Sequence, residues 1–192
     1  MNAPTSFASR QTHERHRFTG EDVLAMMRAG LLQEGGKFEL IDGEVIDMPA
    51  EGAQHLELRM RLSRFLSRAL PDEIGLVPDG TLRLSDTFWP EPDLYLFPAH
   101  LSVEAVRGPD LLLVIELSDT TVRYDMGRKA EIYREHGVRE YWVLDVVKRE
   151  AHVHVRDATG EWSLKTVSFD ETLKPILLGE LTIRIADCER KA

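Results

Sequence analysis

Hydrophobic residues recur with two different periods along this chain, and the changes of period divide it into helices and strands. The segment TGEDVLAMMRAG predicts a first helix, with Thr19 as N-cap and Gly30 as the stop signal. Residues 55–72 (HLELRMRLSRFLSRALPD) repeat leucine and phenylalanine at helical spacing and predict a second helix, whose arginines form a solvated face or grip phosphates or a partner. Residues 124–137 (YDMGRKAEIYREHG) predict a third helix, which ends at a glycine.

Between the first two helices, a period of two predicts a hairpin. Asp42-Gly43 lies between two alternating runs and is a strong signal for a two-residue turn. The register then pairs Ile41 with Glu44 and Glu39 with Ile46. One face therefore carries two carboxylates among isoleucines, which is unusual for a pair of strands.

The remaining apolar runs predict further strands. GLVPDGTLRLSD and FWPEPDLYLF give one strand each, and PDLLLVIELS is apolar on both faces, which predicts a central strand with both faces covered. REYWVLDVV predicts another buried strand, in which Trp142 is core, as is Tyr133 of the third helix. AHVHVRD, WSLKTVSF and ELTIRIAD predict outer antiparallel strands, with His152 and His154 facing solvent and holding no metal. The order of elements predicts an α/β sheet with helices on its faces.

Length and composition predict one domain. The chain has 192 residues, which we divide into a flexible N-terminal arm (residues 1–17), a single domain (residues 18–187) and a C-terminal tail (residues 188–192). One cysteine, Cys188, excludes an internal disulfide framework and is typical of a reducing cytoplasm. No apolar run is long enough for a membrane span, and the N-terminus has no secretory core. We therefore expect a cytoplasmic protein.

Charge limits the classes of function. The net charge is −9, from 24 basic and 33 acidic residues, which argues against a non-specific nucleic-acid coat. A nuclease remains compatible with it, because carboxylates that hold divalent cations count as acidic until the metal is included.

Two acids occupy positions where strands usually carry apolar residues. Asp93 begins the strand DLYLF, and Glu116 lies near the end of LLLVIELS. If these strands are neighbours, both carboxylates meet at one edge of the sheet and could hold Mg²⁺ or Mn²⁺. Lys129 lies in the following helix and could supply a charge to a phosphate or its water. The alternatives are a turn acid at Asp93, a buried Glu116–Lys129 salt bridge and a solvated lysine.

A family resemblance sharpens this hypothesis. FELIDGEVIDMP, EPDLYLF and PDLLLVIELSDTTVRYDMGRKAEIYREHGVREYWVLD resemble the putative restriction endonuclease family, the Uma-type branch of the PD-(D/E)xK nuclease superfamily. The resemblance runs from about residue 18 to about residue 185. It implies a restriction-endonuclease-like core with a mixed central sheet, flanking helices and additional antiparallel strands. It also implies Mg²⁺- or Mn²⁺-dependent hydrolysis of DNA.

The resemblance also implies site roles. Asp93 and Glu116 match the two metal-ligating acids, whereas Ser118 stands where the superfamily lysine usually lies. Lys129 matches the displaced lysine of this branch. Glu44 is the first choice for a further acid, and the accessory candidates are Glu39, Glu57 and His55.

Two other classes of function stay open. A catalytically weak DNA-binding or scaffold protein could share the fold, and a structural homodimer could use the same acids in ion pairs. Cutting both strands needs two sites, which favours a homodimer for the nuclease as well. Convergence of Asp93, Glu116 and Lys129 in an open cleft would favour the enzyme, and convergence in a closed core would favour a structural role.

Overall fold

The structure is a computed structural model that describes residues 15–32 and 37–189. Its strands are β1 (Phe38–Ile41), β2 (Glu44–Asp47), β3 (Ile74–Pro78), β4 (Phe88–Trp89), β5 (Leu94–Pro98), β6 (Leu113–Ser118), β7 (Glu140–Asp145), β8 (Glu150–Arg156), β9 (Trp162–Ser168), β10 (Thr172–Leu173) and β11 (Ile183–Arg184). Its α-helices are α1 (Gly20–Arg28), α2 (Ala53–Ala69), α3 (Val122–Tyr124), α4 (Ala130–Glu135) and α5 (Ile185–Glu189). Short 3₁₀ turns cover Val103–Ala105 and Gly108–Asp110.

The largest sheet has six strands in the order β3-β5-β6-β7-β8-β9. Only β6 and β7 run parallel among its pairs, so the sheet is mixed. Every residue of β6 and of β7 is buried, which confirms the central position expected from their continuous apolar runs. The mixed α/β fold predicted from the sequence is therefore confirmed.

Alternate residues of these strands supply two cores, one on each face. On one face, Leu58, Leu62 and Leu66 of α2 pack on β5 and β6. On the other face, Ile132 and Tyr133 of α4 pack on the same sheet. Helices thus pack on both faces of the sheet.

The hairpin has the register expected from its sequence. Ile41 pairs with Glu44 and Glu39 with Ile46. The turn residues Asp42 and Gly43 have φ values of 54° and 74°, the left-handed conformation that a two-residue turn of this kind requires. A third strand, β4, pairs with the other edge of β1.

Described residues near both chain ends contact the rest of the domain. Residues 1–14 lie outside the described part of the chain, but Arg15 and Arg17 form ion pairs with Glu44 and Asp42 of the hairpin. At the other end, α5 extends to Glu189 and buries Cys188 in the core. The helix that carries Cys188 packs against α2.

The structure differs from four local predictions. TLRLSD forms no strand, FWPEPDLYLF divides into β4 and β5 around its prolines, and ELTIRIAD gives only the two-residue β11 before α5. His152 and His154 are buried rather than solvent-facing. The reason is that β9 pairs with the outer edge of β8, while Tyr141 and Trp162 pack against the His154 ring. Burial lowers the pKa of His154 to about 4.

The third predicted helix is interrupted by a wide turn. Between α3 and α4, Asp125–Lys129 form a π turn in which the Ala130 N–H donates to the Asp125 carbonyl. The Tyr141 hydroxyl donates to the same carbonyl at 3.1 Å. Gly137, with a φ of 83°, ends the segment as expected. Wide turns of this kind are often found at functional sites.

The buried acid Glu140, the first residue of β7, leads to a prediction about the pH dependence of stability. Glu140 accepts hydrogen bonds from Trp142 Nε1 (2.8 Å) and Ile176 N (2.7 Å), but burial raises its pKa to about 7. Because the unfolded carboxyl titrates near 4.5, the stability that this proton contributes is full below that pH and is lost as the pH rises through about 7. A tenfold change in proton affinity is worth about 1.4 kcal/mol, so the loss approaches about 3 kcal/mol.

Urea unfolding at pH 5 and pH 8 should show this decline in the wild type and a flatter profile in Glu140→Gln. Identical pH profiles in the two proteins would contradict it.

Candidate functional site

The ends of β5 and β6, the segment after β2 and the π turn surround a cavity of about 410 Å³. The residues that line it carry far more acids than bases. The acids are Glu39, Asp47, Glu51, Asp79, Glu91, Asp93, Glu116, Asp119 and Asp125, and the bases are Lys37, Lys129 and His55. Such an excess of negative charge in a partly enclosed space attracts cations.

Asp93 lies where β5 begins, directly after Pro92. Because Leu94 pairs with Ile115, Asp93 stands beside Glu116 at the same end of the sheet. Its Oδ2 accepts a hydrogen bond from Leu117 N (2.8 Å), and its Oδ1 accepts one from Arg59 (3.0 Å) and lies 2.6 Å from His55 Nε2. Burial opposes ionisation, but these donors outweigh it and hold the pKa of Asp93 below its usual value.

Glu116 has the opposite electrostatics. Its Oε1 accepts hydrogen bonds from Lys129 Nζ and from the Tyr133 hydroxyl, both at 3.0 Å. Burial raises the pKa of Glu116 well above its usual value; Lys129 opposes that rise, and the neighbouring carboxylates Asp125 and Asp93 add to it. Two adjacent carboxyl groups whose pKa values are shifted in opposite directions are typical of ligand-binding and catalytic sites.

Lys129 is the centre of an ion cluster. Its Nζ lies 2.9 Å from Glu39 Oε1, 3.0 Å from Glu116 Oε1 and 3.9 Å from Asp125 Oδ1. Burial disfavours the charged amine, but Glu116, Glu39 and Asp125 raise the pKa of Lys129 above its usual value, so it stays protonated. The lysine to which the family resemblance gave a site role thus contacts the acid predicted at the end of a strand.

The hairpin contributes Glu39 rather than Glu44 to this cluster. Glu39 is fully buried, and its Oε1 also accepts from Glu91 N at 2.9 Å. The side chain of Glu44 is 54% exposed and pairs with Arg15 at 3.0 Å. Both acids share one face of the hairpin, but Glu44 lies at the turn, about 7 Å further along the strands. Glu57 does not line the cavity either, because its side chain is exposed and pairs with Arg61 on α2.

Ser118 and His55 both contact the acids of the site. Ser118, in the usual lysine position, is buried and donates to Asp125, which also accepts from Thr121 Oγ1 at 2.7 Å. His55 lies in the first turn of α2, between Asp93 and Glu51. Burial disfavours the charged imidazole, but the hydrogen bond to Asp93 and the charge of Glu51 raise the pKa of His55. One atom each from Glu51, His55 and Asp93 lie within 4.8 Å of one another, a geometry that could hold a metal ion.

Sequence reasoning missed three residues of the site. Arg59 is one of the arginines that we expected on a solvated face or at a phosphate or partner contact, but it is only 12% exposed and pairs with Glu51 (2.7 Å) and Asp93 (3.0 Å). Its spacing of four from His55 was the available signal, because such residues share a helix face. The same spacing relates Asp125 to Lys129. Glu51 lies in a loop without periodicity, and nothing local indicated it.

The site residues therefore converge, but they are deeply set. Asp93, Glu116 and Lys129 all line the cavity, yet they are only 6%, 4% and 2% exposed. The arrangement combines an entrance for a ligand with a buried ion cluster at its floor. It can bind a cation with carboxylates and hold a fixed positive charge beside it.

The mixed six-stranded sheet with helices on both faces is a restriction-endonuclease-like fold. A putative restriction endonuclease family, Uma2, matches residues 21–186, and the chain belongs to that family. Among solved structures, a putative nuclease belonging to DUF820 from Anabaena variabilis ATCC 29413 is similar to it, with a TM-score of 0.71 and 15% sequence identity. That match covers 90% of this chain and 97% of the other, and it supports the fold. A comparison with curated proteins finds no match.

No helix among the described residues has the length and apolar character needed to cross a membrane.

Proposed function

We propose that this protein hydrolyses phosphodiester bonds in DNA with the help of a divalent cation, Mg²⁺ or Mn²⁺. The observation that carries the proposal is the convergence of Asp93, Glu116 and Lys129 on one cavity from three separate elements. Membership of the restriction endonuclease family supports the choice of substrate. A homodimer and a cytoplasmic location remain predictions from the sequence.

The residues present fit a hard divalent cation. Asp93 keeps a lowered pKa and so stays ionised, and Glu116 stands beside it at the sheet edge. Glu39 Oε2 is buried without a hydrogen-bond partner among the described residues, which leaves acceptor capacity at the floor of the cavity. Asp93 and Glu116 would hold the ion, with Glu39 and Glu51 near it. When bound, such an ion polarises a phosphate and lowers the pKa of a bound water.

The chain's own side chains supply orientation and charge. Three donors lock the Asp93 carboxylate, and the Tyr133 hydroxyl fixes Glu116, so neither acid needs to reorganise during the reaction. Lys129 remains protonated and places a positive charge where negative charge develops on the phosphate. Glu39 holds that ammonium from the opposite side.

One observation favours the second candidate, a nuclease-fold binding or scaffold protein without turnover. Lys129 already has three buried carboxylates around it, as a structural ion cluster would. A plasmid-nicking assay separates the two candidates. We expect the wild type to nick supercoiled plasmid with Mn²⁺ or Mg²⁺ and to stop when EDTA is added. No nicking with either ion would favour the binding or scaffold function.

A matched pair of hairpin variants tests which acid completes the site. Glu39→Gln should slow nicking by about 10–100-fold, because it weakens the support of Lys129 and removes a carboxylate from the cavity floor. Glu44→Gln should leave the rate unchanged, since Glu44 is exposed and pairs only with Arg15 among the described residues. Initial nicking rates at equal protein concentration give the comparison. A slow Glu44→Gln and a normal Glu39→Gln would return the role to the residue at the turn.

A further inference from the structure

The acids and the lysine of the site lie below the protein surface, at the floor of the cavity. A phosphodiester must enter the cavity to approach Asp93, Glu116 or Lys129, because each is at most 6% exposed. A volume of about 410 Å³ is at the lower end of the range of pockets that enclose a small organic ligand. It can take in about one nucleotide, but not a stacked run of base pairs.

The walls of the cavity have the character that a nucleoside needs. The end of β2 and the segment after it contribute four apolar residues to the lining, which are Ile46, Met48, Pro49 and Ala50. Tyr124 lines the cavity as well, and it immediately precedes the π turn. Apolar surface and aromatic rings hold unstacked bases with little dependence on sequence.

The Tyr124 hydroxyl gives independent evidence for a ligand. It is buried and has no hydrogen-bond partner among the described residues. Buried hydroxyls are almost always paired, so an atom that enters the cavity should satisfy this one. The hydroxyl of Tyr95 is also buried and lacks a partner in the described part of the chain, but Tyr95 does not line the cavity. It is therefore a matched control.

We propose that the cavity receives one unstacked nucleotide of a single-stranded or locally opened DNA, with its sugar and base against Met48, Pro49 and Tyr124. Its phosphate then reaches the Glu116–Lys129 floor, and the Tyr124 hydroxyl donates to the bound nucleotide. This inference rests on the proposed phosphodiester hydrolysis and names the form of DNA that the site accepts. Enzymes that need a nucleotide outside the base stack act on single strands or pay the cost of extrusion.

A cleavage comparison tests the form of the substrate. One labelled oligonucleotide is offered to the full chain with Mn²⁺ as a single strand, as a perfect duplex and as a duplex with a central unpaired segment. We expect the single strand and the unpaired segment to be cut at least about 10-fold faster than the perfect duplex. Met48→Ala and Tyr124→Phe should slow cleavage of the single strand, whereas the controls Met60→Ala and Tyr95→Phe should cut like the wild type. Equal cutting of all three substrates would overturn the inference.

Binding gives a second readout that does not depend on turnover. Fluorescence anisotropy with Ca²⁺ in place of Mn²⁺ measures the affinity for the same three oligonucleotides. A preference of about 10-fold or more for unpaired DNA that Tyr124→Phe and Met48→Ala reduce supports the pocket, even if nothing is cut. In that case the proposed hydrolysis fails while the nucleotide pocket stands. Equal affinity for single strand and duplex, or tighter binding of the duplex, overturns the pocket.

Discussion

Replacing Lys129 by methionine should abolish detectable nicking and lower the free energy of unfolding by about 3–5 kcal/mol at pH 7. The variant keeps the volume of the side chain but leaves Glu39, Glu116 and Asp125 buried without their shared cation. Loss of the fixed charge beside the phosphate should by itself slow nicking by about 100-fold or more. Urea unfolding measures the first effect, and the plasmid assay measures the second, at a temperature where circular dichroism shows the variant to be folded.

Two further variants separate charge from folding in this experiment. The double variant Glu116→Gln and Lys129→Met also removes one of the acids that Lys129 contacts. It should regain part of the lost stability, but it should not regain nicking activity. Lys148→Met is the matched control, because its side chain is 66% exposed and pairs with Asp145 away from the cavity. It should behave like the wild type. A Lys129→Met protein that is as stable as the wild type and cuts as fast would exclude the displaced-lysine mechanism.

Asp93→Asn should weaken Mn²⁺ binding and slow nicking by about 100-fold or more. The amide removes the negative charge and replaces one of the two oxygens that accept hydrogen bonds from His55, Arg59 and Leu117. Isothermal titration with Mn²⁺ measures the first effect, and initial nicking rates measure the second. The lost hydrogen bond should also lower stability by about 1–3 kcal/mol.

Asp145→Asn is the control for that loss of stability. Asp145 is buried at the end of β7 and accepts a hydrogen bond from Lys148 N at 2.8 Å, but it does not line the cavity. Its variant should lose some stability and keep both Mn²⁺ affinity and nicking. If Asp93→Asn binds Mn²⁺ as tightly as the wild type, the metal site is not where we place it.

The features that could be predicted from the sequence are those that neighbouring residues determine. The capping box of α1, with Asp22 N donating to Thr19 Oγ1 at 3.2 Å, involves residues three apart. The hairpin register follows from the turn at Asp42-Gly43. The positions of Asp93 and Glu116 at one sheet edge required only that two apolar strands be neighbours, which they are.

The features that were missed depend on packing between distant segments. The burial of His154 requires β9 and the ring of Trp162, which no pattern within AHVHVRD can show. The contact of Glu39 with Lys129, and of Glu44 with Arg15, depends on how the hairpin packs against distant segments. Arg59 appeared solvated because the acids that bind it, Glu51 and Asp93, come from a loop and another strand.

The π turn has a consequence for the spacing of the ion cluster. Asp125, Lys129 and Tyr133 follow one another at intervals of four, and all three are buried towards Glu116 or its neighbours. On an ideal α-helix, residues eight apart are rotated by about 80° relative to one another. A regular helix would therefore turn either Asp125 or Tyr133 away from the cluster. The wide turn absorbs part of that rotation, and it does so with its backbone rather than with any one side chain. The phase of the helix is thus set by the number of residues between Ser118 and Tyr133. In the proposed enzyme, deleting one uncharged residue from this segment would break the contacts among Asp125, Lys129 and Glu116, although every charged group would still be present in the chain.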